Sequence, residues 1–210
     1  DMMDCSIGDE TAFSKMYLDW TRPYHIKDTT EITLRSFDKG GDLLLFNNNW
    51  NKTVYDEYYL IEFYTPTGLN TYDSCIGNSE AKLPNLPGIK MYHVDASIAT
   101  FDVSGKRKDW CRELVNFPGA NLVNFAYDNN TKPEEKLKEE LPIPYLYKLI
   151  PNNTGGQMLT GRATSANLYH AGDLLPRFEF YDQTNPTDYS IRIESLNFYE
   201  AKLKIVKNTL

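Results

Sequence analysis

One early segment of the chain has the hydrophobic period of a helix, and most of the later segments have the pattern of β-strands. Within Thr11 to Trp20, apolar residues spaced at i, i+3, i+4 and i+7 form one stripe, made of Phe13, Met16, Tyr17 and Trp20. Asp9 is the predicted N-cap of this helix, and Pro23 ends the pattern. The stripe predicts a face that docks on other parts of a protein.

Several later segments predict strands. The segments Glu31 to Phe37 and Asp42 to Phe46 flank a glycine-containing turn, residues 38–41, which predicts a hairpin. Glu57 to Tyr64 is apolar on both faces apart from its acids, which predicts a central strand covered on both sides. The remaining predicted strands are Ile89 to Asp95, Leu122 to Tyr127, Ser190 to Glu194 and Glu200 to Val206.

The spacing of these strands predicts a mainly β chain with an N-terminal helix, rather than a βαβ pattern. We expect an antiparallel β-sandwich with short helical insertions. The polar segment Asn129 to Glu140 carries a capping-box spacing and predicts one such surface helix. Leu141 to Pro151 is apolar but contains two further prolines, and its class stays open.

Composition narrows the function classes. The chain has 210 residues and a formal net charge of -7. An acidic surface argues against nucleic-acid binding, because phosphate recognition needs a basic face. No apolar run reaches the roughly 20 residues that span a bilayer. Cys5, Cys75 and Cys111 lack paired zinc spacing, and free thiols are favoured over a single bridge from Cys75 to either of the others.

Complete catalytic motifs are missing from the sequence. The three histidines, His25, His93 and His170, include no pair at the i, i+4 spacing with which a helix offers two imidazoles to zinc. The sequence also has no G-x-S-x-G elbow and no phosphate-binding glycine loop. We therefore predict no catalytic residue and no metal ligand in this chain.

One polar cluster is nevertheless a candidate site. His93 and Asp95 lie two apart on a predicted strand and share a face, and Glu62 is the lone acid inside an apolar strand. If the two strands pair, the three side chains could meet. They would form either a hydrogen-bonding network of the fold, which is the favoured interpretation, or the second shell of a metal site held elsewhere.

Two groups of residues are weaker candidates for ligand binding. Asp182, Asn185 and Asp188 could present oxygens to a calcium ion, although their spacing differs from that of the helix–loop–helix calcium loop. Aromatic residues such as Trp50, Tyr55 and Trp110 could form a sugar-binding platform, although core packing explains most of the aromatic residues equally well.

Several stretches, in order along most of the chain, resemble the immune inhibitor A family of secreted bacterial zinc metallopeptidases. DMMD (1–4) resembles the family's D-L-M-D stretch, and FSKM (13–16) with LDW (18–20) resembles its F/W-S-K-x-x-L-G-W helix. DEYYLIE (56–62) resembles the family's N-E-Y-F-L-I-E-N strand, and PGIKMYHVD (87–95) resembles its P-G-x-G-L-L-I-W-H-I-D strand. YHAGD (169–173) with YSI (189–191) resembles the tail of clostridial members. Asp19 stands where the family usually has glycine.

The resemblance implies a division of the chain. Residues 1–23 would be the Met-containing turn and helix at the end of a peptidase catalytic domain, and residues 24–210 a mainly β C-terminal module. Met3 would be the methionine beneath a zinc ion bound upstream by an H-E-x-x-H helix, which this chain lacks. The implied partners are the upstream catalytic subdomain and, through it, a protein or peptide substrate.

The resemblance favours one function over two rivals. The leading expectation is a secreted or cell-surface protein whose C-terminal portion completes the active-site floor and shapes substrate access, and which is inactive alone. The main rival is a non-catalytic cell-surface β-sandwich module that binds protein or carbohydrate. A weaker rival is an independent metal-dependent enzyme that uses Glu62, His93 and Asp95.

Overall fold

The computed structural model describes residues 9–75, 84–96, 100–101, 107–109, 147–153, 163–180 and 188–208. It contains two short helices, α1 (Ala12–Tyr17) and α2 (Asn70–Cys75), and 3-10 turns at Phe37–Lys39 and Ser165–Asn167. The strands are β1 (Tyr24–His25), β2 (Thr30–Arg35), β3 (Leu43–Phe46), β4 (Glu57–Tyr64), β5 (Gly88–Asp95), β6 (Thr100–Phe101), β7 (Arg107–Asp109), β8 (Tyr147–Ile150), β9 (Tyr189–Leu196) and β10 (Glu200–Lys207).

Two sheets carry most of the structure, which confirms the predicted mainly β, sandwich-like fold. The first sheet has the order β1-β3-β4-β5-β8 and the second has the order β2-β10-β9. All pairings in both sheets are antiparallel except that of β1 with β3. Strands β6 and β7 form a separate two-stranded ribbon. None of the helices within the described ranges is long and apolar enough to cross a membrane.

Strands β3 and β4 of the first sheet are buried on both faces. One face packs against the second sheet through a core that includes Phe46, Ile61, Met91, Ile193 and Leu203. The opposite face carries a second core that includes Leu45, Leu60 and Tyr92 and is covered in part by Ala12 and Met16 of α1. Every residue of β4 is therefore buried, as its continuous apolar sequence predicts.

The predicted hairpin around residues 38–41 is wrong. Strand β2 pairs with β10 in the second sheet, whereas β3 pairs with β4 in the first. The four residues of β3, LLLF, are all buried and need cover on both faces, while β2 alternates towards solvent. The connection therefore passes between the sheets, through Gly40 and Gly41 at φ values of 142° and 67°.

An ion pair fixes this crossing between the sheets. Asp42 accepts hydrogen bonds from the Arg35 backbone N–H at 2.8 Å, from Nε at 2.9 Å and from Nη2 at 3.0 Å. The Arg35 hydrogen bonds lower the pKa of the Asp42 carboxyl below its usual value of 3.8.

We therefore expect Asp42 to make stability depend on pH. The folded pKa is lowered, so its contribution is fully present above the unfolded pKa of about 3.9 and is lost as the pH falls through the folded pKa. Replacing Asp42 with asparagine should flatten the acid side of the stability–pH curve from urea titrations, and replacing the exposed Glu194 with glutamine should not. Equal slopes for wild type and D42N would contradict this.

Helix α1 is shorter than its sequence pattern and has a different cap. The N-cap is Thr11, whose Oγ1 accepts from Ser14 N–H at 3.2 Å, and not Asp9, whose carboxylate pairs with Lys15. At the other end, Trp20 N–H donates to Lys15 O and Asp19 N–H to Met16 O, at 2.8 and 3.2 Å. This is a Schellman motif, and Asp19 occupies its left-handed position with a φ of 56°.

Replacing Asp19 with glycine should stabilise the protein. The left-handed conformation costs a residue with a Cβ about 1 kcal/mol, and the exposed Asp19–Arg22 ion pair that would be lost contributes less. We expect the free energy of unfolding to rise by about 0.5 kcal/mol in urea titrations. Asp19→Ala is the matched control, because it removes the ion pair and keeps the strain; a D19G variant no more stable than D19A would contradict the account.

The later elements agree with the sequence patterns where they are described. Strands β9 and β10 form the predicted closing pair, and β10 turns Ala201, Leu203 and Ile205 inward. Part of the undecided segment 141–151 is the strand β8 beside β5. The predicted strand 122–127 and the predicted surface helix 129–140 lie outside the described residues.

Candidate functional site

The pairing of β4 with β5 decides where the predicted polar cluster lies. Glu62 is opposite Lys90, Tyr59 is opposite His93, and Glu57 is opposite Asp95. Because side chains alternate along a strand, Glu62 and His93 point to opposite faces of the sheet. The structure therefore does not bring Glu62 together with His93.

His93 instead binds a carboxylate that sequence reasoning did not select. Its Nε2 lies 2.8 Å from Glu57 Oε1, and both side chains are buried. The imidazole also stacks on the Tyr59 ring, with 4.4 Å between centroids and 4° between planes. This paired and stacked arrangement fits a hydrogen-bonding network within the core.

Among the residues that the structure describes, metal-ligating side chains do not cluster around this pair. In the described part of the chain, no three or more His, Cys, Asp or Glu side chains are grouped so that they could hold a metal ion. Glu57 was missed because it stands at the start of β4, where a sequence gives no sign of burial.

The more unusual chemistry lies on the opposite face of the same sheet. A cavity of about 220 Å³ lies between α1, the Phe37–Lys39 turn, the strands β4 and β5, and the start of α2. Its wall combines charged side chains with aromatic rings. They include Asp9, Lys15, Trp20, Phe37, Glu62, Tyr64 and Lys90.

Glu62 is a buried acid in the wall of this cavity. Only 3 % of the residue is exposed. Its Oε1 accepts a hydrogen bond from the Tyr92 hydroxyl at 2.8 Å and lies 3.4 Å from Lys90 Nζ. Its Oε2 is buried and has no hydrogen-bond partner among the described residues. An unmatched carboxylate oxygen is uncommon in a folded interior, because its desolvation is not compensated.

Two lysines bring their ammonium groups into the same wall. Lys15 is 4 % exposed, pairs with Asp9, and places Nζ 3.3 Å from the centroid of the Phe37 ring. Lys90 Nζ lies 4.2 Å from the centroid of the Tyr64 ring. Burial lowers the pKa of Lys15, against the opposing effect of Glu62 and Asp9.

The sequence held a partial signal of this cavity. Glu62 and Lys90 are oppositely charged residues inside strands that are otherwise largely apolar, and pairing β4 with β5 in register would have joined them. Lys15 gave no such signal, because a lysine in a short helix is normally solvated.

The other singled-out residues have structural partners. His25 Nε2 lies 2.8 Å from Asn47 O, and Trp50 donates to Thr53 O at 2.7 Å. The predicted turn at 169–173 is present: His170 N–H donates to Asp173 Oδ2 at 2.8 Å. Asp188 pairs with Arg177 at 3.4 Å.

Cys75 is an exposed free thiol. The remaining predicted residues, Met3, Cys5, Cys111, Trp110, Asp182 and Asn185, lie outside the described residues.

Comparison with known proteins adds no relative. No protein-family model matches the chain, and neither the curated proteins nor the solved structures contain a match.

Proposed function

We propose that this chain is the non-catalytic C-terminal portion of a secreted zinc metallopeptidase-like protein of the immune inhibitor A type. Its role there is to complete the floor of the active site and to shape substrate access. Zinc belongs to the upstream catalytic subdomain, and the substrate is a protein or peptide. The chain by itself hydrolyses nothing.

The observation that carries the proposal is an exposed apolar surface on and after α1. Tyr17, Leu18, Trp20 and Tyr24 are each about half exposed, at 54, 47, 59 and 53 %, within eight residues of chain. We call these four residues the α1 surface. Its occupant, on the resemblance, is the catalytic subdomain, because the family's zinc helix precedes this segment. Exposed apolar side chains grouped in this way are typical of interaction surfaces.

The end of α1 is compatible with the resemblance at a position where the sequence departs from it. The family usually has glycine where this chain has Asp19, and Asp19 adopts the left-handed conformation that glycine adopts without strain. The helix end therefore has a backbone conformation that glycine, the family's usual residue here, adopts readily.

The proposal is tested on the intact product of the complete gene. Replacing Leu18 and Tyr24 with alanine should lower its hydrolysis of casein at least about fivefold, because a few interface residues, tyrosines prominent among them, contribute most of the binding energy at more than about 1 kcal/mol each. The same double substitution should change the unfolding free energy of the 210-residue chain alone by less than about 0.5 kcal/mol, since both side chains are exposed.

The matched control is alanine at Phe198 and Tyr199, which are exposed at the turn between β9 and β10. It should leave casein hydrolysis unchanged. Unaltered hydrolysis in the Leu18 and Tyr24 variant, or a gene that encodes no H-E-x-x-H segment, would overturn the proposal.

The cavity around Glu62 favours a second candidate function. A β-sandwich module that binds carbohydrate needs a concave polar site beside an exposed aromatic ring, and Trp20 lies at this cavity. This candidate does not depend on a peptidase partner.

A further inference from the structure

We propose that the open edge of strand β2 pairs with the same edge of a second copy of this chain. The two strands run antiparallel across a two-fold axis at Ile32, so the three strands of the second sheet continue into the three of the partner. The edge is made of residues outside the α1 surface. The inference goes beyond the proposed function and does not rest on it.

The hydrogen bonds of Arg35 show which backbone groups of β2 point outward. Strand β2 is the outer strand of the second sheet, and β10 is its one partner among the described strands. Arg35 N–H donates to Asp42 Oδ2 at 2.8 Å, and Arg35 C=O accepts from Asp42 N–H at 3.3 Å, so both groups face away from β10. Because backbone groups alternate in direction along a strand, those of Glu31 and Thr33 face outward too.

The outward groups of Glu31 and Thr33 are available to a further strand. Both residues are exposed. Their N–H groups and Thr33 C=O have no hydrogen-bond partner among the described residues, and Glu31 C=O accepts only a long bond from Thr30 Oγ1, at 3.4 Å. Strand β2 contains neither proline nor a bulge against β10, two features by which edge strands avoid pairing. The edge is therefore open.

The open part of this edge fits a second copy in length. Asp42 fills the position beside Arg35 and so closes one end of the edge. The open part is residues 30–34, and its midpoint is Ile32. Antiparallel pairing of two copies around Ile32 covers all of it.

The charges of the edge match in this register. Glu31 lies opposite the partner's Thr33, so the N–H of each donates to the C=O of the other, and the threonine hydroxyl can donate to the carboxylate. Lys204 Nζ lies 3.9 Å from Glu31 Oε1 and offsets the two carboxylates near the axis. Pairing centred on Glu31 would set two carboxylates directly opposite each other. Pairing centred on Thr33 would bring Glu31 to the position that Asp42 fills.

An apolar contact on the inner face supports the same register. The Ile32 side chain is half-buried and packs against the core between the two sheets. At the axis it meets the partner's Ile32 in a non-hydrogen-bonded pair, where opposite side chains come closest. The pairing therefore extends the core from one copy into the other.

Sedimentation velocity of the 210-residue chain measures the pairing, at concentrations from about 5 µM to about 1 mM. An edge this short makes a small interface, so we expect a reversible dimer with a dissociation constant of roughly 0.1 mM. A chain that stays monomeric at the highest concentration overturns the proposal.

Two variants at one position test the outward N–H group. Thr33→Pro removes it and leaves the bonds between β2 and β10 in place, so it should weaken dimerisation at least about tenfold. Thr33→Ala keeps the N–H and is the matched control, with a dissociation constant within about threefold of wild type. Both variants should keep the circular dichroism spectrum of the wild type. Equal dimerisation of T33P and T33A overturns the proposal.

A charge pair at the same exposed position tests the occupant and the register, even if T33P folds poorly. Thr33→Lys places an ammonium group opposite the partner's Glu31 and should tighten the dimer about threefold, whereas Thr33→Glu should weaken it by a similar factor. Shifts in the same direction, or no shift in either variant, overturn the proposal, because only a second copy paired around Ile32 brings Glu31 to that place. The peptidase proposal is tested by casein hydrolysis of the intact gene product, so the two proposals can fail separately.

Discussion

Replacing Phe46 with alanine should lower the free energy of unfolding by about 3–5 kcal/mol, the largest single effect that we expect in this chain. Phe46 of β3 is fully buried where the two sheets meet. Its ring lies 4.9 Å from that of Phe178 and 5.2 Å from that of Tyr189, between centroids. Alanine would leave a cavity between sheets that cannot close without moving both.

Urea titration of the 210-residue chain measures this effect, and the melting temperature should fall by roughly 10 °C. Phe198→Ala is the matched control, because the same side chain is 47 % exposed there, and it should cost less than about 0.5 kcal/mol. A loss at Phe46 no greater than that at Phe198 would show that the two sheets do not pack as described.

The second large effect concerns the buried pair of Glu57 and His93. Replacing Glu57 with leucine or His93 with phenylalanine should each cost about 1–3 kcal/mol, because each breaks the buried hydrogen bond between the two side chains. The double variant removes both groups and keeps a ring to stack on Tyr59. It should cost less than the sum of the single variants, by about 1–2 kcal/mol.

This double-mutant cycle separates the two interpretations of His93. A structural network predicts coupling between Glu57 and His93 and an unchanged metal content in the intact gene product. Additive losses, within about 0.5 kcal/mol, would show that the two side chains do not stabilise each other. A loss of bound metal on replacing His93 would instead support the second-shell interpretation.

Strands with a strong and long pattern were predictable from the sequence. The strand β4 has the predicted bounds, and β5 begins one residue before its predicted start. Apolar residues are the majority in both segments, six of eight in EYYLIEFY and four of seven in IKMYHVD, so the local pattern alone indicates a strand.

The pairing of strands with one another was less predictable from the sequence. The glycines after Asp38 suggested a hairpin. A turn signal in the sequence, however, does not show whether the two flanking strands are buried on the same number of faces. β3 is buried on both faces and β2 on one, and this difference placed them in different sheets. The helix cap was misassigned because the Asp9 carboxylate pairs with Lys15 in the cavity wall.

The candidate site was predictable only in part. The sequence singled out Glu62 and His93 as members of one cluster, but their register on β4 and β5 sends them to opposite faces. The burial of Lys15 over Phe37 depends on how α1 docks on the sheet, and no periodicity in the sequence records that. The methylene chain of a lysine can lie along an apolar surface, but a lysine still counts as a polar residue in the hydrophobic pattern of a sequence.

The central proposal, that this chain belongs to a zinc metallopeptidase-like protein, is tested most directly by metal analysis. Mass spectrometry of the purified product of the complete gene should find about one zinc ion per polypeptide, bound upstream of this chain. The 210-residue chain, purified in parallel, should bind none. A complete product without zinc, or stoichiometric zinc on the 210-residue chain itself, would contradict the account.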